Sequence, residues 1–135
     1  MNTDAQPDLQ GSAPKLLLQR ETHDILACAF EVLNTLGHGL NEKCHENALV
    51  VEFTHRSIAF QQQRSFAVLY KGQRVGQFIP DLVVFEQVLV DAKTLDRVGD
   101  AERGQMLNYL RVTKLRVGLL LNFKHPRLEW ERIVL

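Results

Sequence analysis

Between Thr22 and Leu36 the apolar residues Ile25, Leu26, Ala29, Phe30, Leu33 and Leu36 recur near the 3.6-residue period of a helix with one packed face. Thr22 suits its N-cap, and Gly37 and Gly39 its end. A second helix, capped by Asn41 and reaching about Arg56, has Leu49, Val50 and Phe53 in its stripe. Beyond Arg56 the pattern becomes extended. Ser57–Arg64 and Ser65–Tyr70 read as strands, with Lys71-Gly72-Gln73 as the following turn. Arg74–Val84 and Val88–Thr94 read as two apolar strands joined by Phe85-Glu86-Gln87 into a hairpin. Asp100 suits the cap of a helix to about Thr113, and Arg116–Phe123 and Leu128–Val134 complete the strands. Helices, a strand meander, a helix and two strands predict an α/β fold: a mixed β-sheet flanked by helices.

A chain of 135 residues accommodates one such domain, here assigned to residues 19–135. Residues 1–18, with Pro7, Gly11, Ser12 and Pro14, read as a disordered lead-in. Lys plus Arg equals Asp plus Glu at 16 each, so no global field draws the chain onto nucleic acid or anionic lipid. The halves differ, however: residues 1–93 carry 8 basic and 11 acidic side chains, net −3, and residues 94–135 carry 8 and 5, net +3. A polyanion would meet the second part more willingly. Cys28 and Cys44 lack metal-site spacing and read as reduced core or near-core thiols of a cytoplasmic protein. No apolar run approaches a membrane span, and no secretion signal is apparent. The five histidines form no evident metal triad, and Trp130 reads as a packing anchor.

Two acids and a lysine break the apolar strands: Asp81 in the first, Asp91 and Lys93 in the next. Burying such groups is expensive without a partner. If Val84 pairs with Val88 across the short turn, paired positions sum to 172 and Asp81 falls opposite Asp91. A one-residue slip would place them on opposite faces. Lys93 shares the side of Asp91 by strand alternation. In the following helix Gln105, Asn108, Tyr109 and Val112 share a face. Glu46 heads the apolar stripe of the second helix. Each residue alone also suits a structural role, Asp81 as a strand-end partner of Arg74 or Lys93, and Tyr109 as a packed ring.

Pro80-Asp81, then Asp91-Ala92-Lys93, resembles the PD-(D/E)xK nuclease signature, and Gln105 through Tyr109 resembles the Q-x-x-x-Y motif of its RecB-like branch. Gly39-Leu40-Asn41-Glu42, Glu46-Asn47-Ala48-Leu49 and Gly118-Leu119-Leu120-Leu121-Asn122-Phe123 are similar to the small GxxExxR proteins of that superfamily, with His45 at the arginine position. The resemblance implies a restriction-endonuclease-like core and Mg²⁺ or Mn²⁺ held by Asp81, Asp91, the Ala92 carbonyl and Glu46. It further implies Lys93 acting on the attacking water, and Gln105 and Tyr109 lining the site. Hydrolysis of phosphodiester bonds in DNA, less readily RNA, is the function so implied. A nuclease-fold binding or adaptor module without turnover is the alternative, and a homodimer or protein partner could supply substrate recognition in either case.

Overall fold

The computed structural model describes residues 16–135, which form three helices and seven strands. In chain order these are α1 (Gln19–Leu36), α2 (Glu42–His55), β1 (Phe60–Gln62), β2 (Phe66–Tyr70), β3 (Gln73–Phe78) and β4 (Leu82–Val84). They continue with β5 (Val88–Lys93), α3 (Asp100–Thr113), β6 (Val117–Asn122) and β7 (Glu129–Val134). Of the expected lead-in, residues 1–15 lie outside the described residues; Leu16–Leu18 form a turn from which Leu18 packs on the core.

Five strands make one sheet in the order β1-β4-β5-β6-β7, and β2 and β3 pair separately. All neighbours in the large sheet are antiparallel except β5 and β6, whose crossover contains α3. Both faces of the central strands are covered, which is why β5 and β6 read as continuous apolar runs rather than alternating ones. On one face Val88, Val90, Ala92, Leu119 and Leu121 meet Ile25, Cys28, Ala29, Leu49 and Phe53 of α1 and α2. On the other, Val83, Leu89 and Leu120 meet Met106 and Leu110 of α3. Burial of each large side chain in such layers contributes roughly 1.5–3 kcal/mol.

Asn41 caps α2 as expected, its Oδ1 accepting the Cys44 N–H at 2.9 Å. Several expectations need correction. Helix α1 starts at Gln19, and Thr22 lies inside it, its N–H bonded to the Leu18 carbonyl rather than capping. The core stripe of α1 is Ile25, Cys28, Ala29, Val32 and Leu33, while Phe30 and Leu36 are exposed; the true stripe is rotated by about one position. Gly99, not Asp100, is the N-cap of α3, and Glu102 returns to its N–H at 2.7 Å. Cys44 and Trp130 are exposed, so neither anchors the core.

The single strand expected over Arg74–Val84 is two strands in two sheets. Pro80 has no N–H for a ladder, and the chain bends there, so β3 folds back only on β2 while β4 enters the main sheet. The β2–β3 turn uses left-handed Lys71 and Gly72, with φ 49° and 78°, the backbone twist that tight hairpins favour. Gly118 sits in β6 directly beneath Met106, where an added Cβ would lie 2.8 Å from Met106 Cγ. Gly118→Ala is expected to lower stability by about 1–3 kcal/mol in urea unfolding, with the loss reduced when Met106 is shortened in the same chain.

Candidate functional site

Strands β4 and β5 pair as Leu82↔Val90, Val83↔Leu89 and Val84↔Val88, the register that sets Asp81 opposite Asp91. Asp81 stands just before β4, and its side chain prolongs the ladder that the backbone has left: Oδ2 accepts the Ala92 N–H at 3.1 Å. The same register sets Pro80 opposite Ala92. Proline cannot donate, so the Ala92 carbonyl has no main-chain donor across from it on that side. A second tie fixes Asp81, whose carbonyl accepts the Gln63 N–H at 3.1 Å. The acid is thereby clamped between β1 and β5.

Asp91 is 6% exposed in the middle layer of the fold. Burial first and the Asp81 charge second push its pKa up to about 6, while Lys93, with Nζ 3.9 Å from Asp91 Oδ2, pulls it down. Asp81 is also raised, by burial and then by the charge of Glu46, against the Ala92 N–H and Lys93. Two buried carboxylates with raised pKa values and one lysine beside them form a site short of positive charge.

Glu46 is buried at 4% exposure, on the inward stripe of α2 with Leu49 and Phe53. Its Oε2 accepts from Lys43 at 3.2 Å, Gln62 at 2.6 Å and Gln63 at 3.1 Å, and its charge acts on Asp81. Tyr109 flanks the site: its ring stacks on Phe78 at 3.9 Å, and burial followed by the charges of Asp91 and Asp81 raises its pKa, keeping it a neutral hydrogen-bond donor. Gln105, one turn earlier, is exposed. The core face of α3 is Met106, Leu110 and Thr113, so Gln105 and Tyr109 lie on its flank instead of looking into the interior.

Four further groups support the site. Glu42 accepts the Thr94 N–H at 3.1 Å and closes the end of β5; its place one turn before Glu46 on α2 was the available signal. Asn122, wholly buried, holds the chain after β5 by accepting from the Leu95 N–H at 2.9 Å and donating to the Leu95 carbonyl at 2.9 Å. An asparagine ending an apolar strand is the same kind of anomaly as Asp91. Gln62 and Gln63 had no such signal, because glutamine in a short strand is unremarkable. His45 is wholly buried and stacks on Phe123 at 4.5 Å, and among the described residues neither ring nitrogen has a partner; burial lowers its pKa and favours the neutral ring.

The model of the PD-(D/E)XK nuclease superfamily matches residues 19–133. The chain belongs to this superfamily. No curated protein and no solved structure matches it. Three helices on a mixed five-stranded sheet are the restriction-endonuclease-like form of a PD-(D/E)XK domain. PD-(D/E)XK nucleases generally use divalent metal ions, and the donors here suit one: two hard carboxylates in mutual repulsion and a main-chain carbonyl without a cross-strand donor. Among the described residues no three His, Cys, Asp or Glu side chains converge closely enough to form a metal cage by themselves. The remaining positions would therefore fall to the Ala92 carbonyl, water and substrate.

The acid pair has a consequence for stability in chelator. An acid with a folded-state pKa above its unfolded value gives a contribution that is full below the ordinary aspartate range and lost as pH rises through about 6. Asp91→Asn is thus expected to match wild type near pH 4 and to exceed its stability by roughly 2–3 kcal/mol near pH 7.5, measured by urea unfolding in EDTA.

Proposed function

We propose that this PD-(D/E)XK protein hydrolyses phosphodiester bonds in DNA, and less readily in RNA, at a Mg²⁺ or Mn²⁺ site. The observation that carries the reading is the Asp81–Asp91 opposition at the end of the sheet with Lys93 beside it. Asp81, Asp91 and the Ala92 carbonyl would hold the ion. Bound there, it would supply Lewis acidity and lower the pKa of a water. Lys93 orients the attacking water and offsets negative charge developing on the phosphoryl oxygens, a task suited to a compact point charge. Tyr109 donates from the α3 side, and Gln105, exposed one turn away, meets the backbone of the polymer. Glu46, fixed by Lys43 and two glutamines, strengthens the negative field at Asp81 and would add to the hold on the ion through water. The two free cysteines suit a cytoplasmic setting.

The engagement of Glu46 by three donors favours a second reading, a binding or adaptor module that keeps the fold without turnover and acts with a partner or a second copy. Titration calorimetry separates them: the enzyme gives a Mn²⁺ binding heat that disappears in Asp81→Ala, and the adaptor gives none. With Mn²⁺ and linear, circular and single-stranded DNA, wild type is expected to cleave, and Asp91→Ala and Lys93→Ala to lose at least ~100-fold in rate. Absence of cleavage by wild type, or cleavage by the two variants at the wild-type rate, would refute catalysis at this site.

A further inference from the structure

Residues 53–80 contain no Asp or Glu, although they end directly against the acid pair and include Arg56, Arg64, Lys71 and Arg74. The β2–β3 hairpin lies within that segment and stands outside the main sheet. Its base is closed at the site itself, because Gln63, just before it, bonds the Asp81 carbonyl, and β3 runs through Ile79 and Pro80 into Asp81. Phe78 anchors the hairpin by stacking on Tyr109. Farther out it is bare: Leu69, Tyr70 and Val75 are 62%, 63% and 64% exposed.

A surface with this much apolar area outside the core points to a partner. Its composition says which kind. Cations already sit over rings, Arg64 over Phe66 at 4.6 Å and Lys71 over Tyr70 at 5.5 Å, and glutamines intervene at 73 and 77. One exposed ring, Tyr70, set among cations with no carboxylate beside them, is a surface on which an unpaired base stacks while the phosphates find positive charge. Strand alternation sets Tyr70 on the face of Phe66 and Phe78, and Gly76 leaves that face open, with none of the described residues within 4 Å of where a Cβ would stand. The five residues of β2 span about 17 Å. Pairing of the hairpin edge with a second chain is disfavoured by the bulge between Val68 and Leu69 and by Lys71 at the tip.

We propose that the β2–β3 hairpin is an arm that grips single-stranded polynucleotide and leads it to the Asp81–Asp91 pair, with Tyr70 as the stacking platform and Lys71 and Arg74 as phosphate contacts. The assignment rests on the phosphodiesterase reading for its direction, but the binding it describes needs no catalysis. It also explains how a chain of zero net charge holds a polyanion: the positive charge is local.

The test is fluorescence anisotropy of the full chain in EDTA with labelled 15-nucleotide single-stranded DNA, the RNA of the same sequence, and the DNA duplex. Single strands are expected to bind more tightly than duplex, and Tyr70→Ala to weaken them about 5- to 150-fold. Lys71→Ala with Arg74→Ala should flatten the slope of log affinity against log salt by about 1.4. These residues are exposed, and circular dichroism confirms that each variant folds. Tighter binding of duplex, no loss in Tyr70→Ala, or an equal loss in Lys114→Ala with Arg116→Ala at the opposite end of the sheet overturns the proposal. So does a dimer in gel filtration that Tyr70→Ala dissolves. Loss of cleavage with this binding intact would defeat the catalytic reading and leave the arm standing.

Discussion

Strand β5 carries Val88, Val90 and Ala92 under the α1–α2 layer and Leu89 under α3, so a slip of one residue would turn apolar side chains out of both layers at once. This two-sided burial holds β4 and β5 in one register, and the register sets Asp81 against Asp91. The position of the site is thus a by-product of core packing. Pro80 completes it by ending β4 pairing where the acids begin, which leaves the Ala92 N–H to the Asp81 carboxylate.

The same constraint divides the labour between the faces. Helix α2 brings Glu42 and Glu46 to the end of β5 from one side, and α3 brings Tyr109 from the other. Arg103 of α3 bonds Glu131 of β7 at 2.6 Å, tying that helix to the sheet two strands across from Asp91. Asn122 holds the chain after β5 against β6. Acids buried at a cost are held in place by polar ties from three elements around them.

The fold sets two regions of opposite charge side by side. The acid pair is short of cations, and the hairpin beside it is free of acids. A charge-balanced chain can therefore present a place for a cation and a place for a polyanion side by side, a separation hidden in the overall composition.

The order of elements, the Asn41 cap, the β4–β5 register, and the anomaly of Asp81, Asp91, Lys93 and Glu46 could be read from the chain, because each depends on local period or on residues close in sequence. Superfamily membership followed from motifs at fixed spacing. Other features required the folded chain. The split of 74–84 into two sheets depends on which partner each half finds, and the phase of α1 and the flank position of Gln105 depend on the angle at which each helix meets the sheet. The engagement of Glu46 by Gln62 and Gln63 joins residues 16 and 17 positions apart. Periodicity within one segment sets which of its residues can be buried together; only the docking of segments decides what they touch.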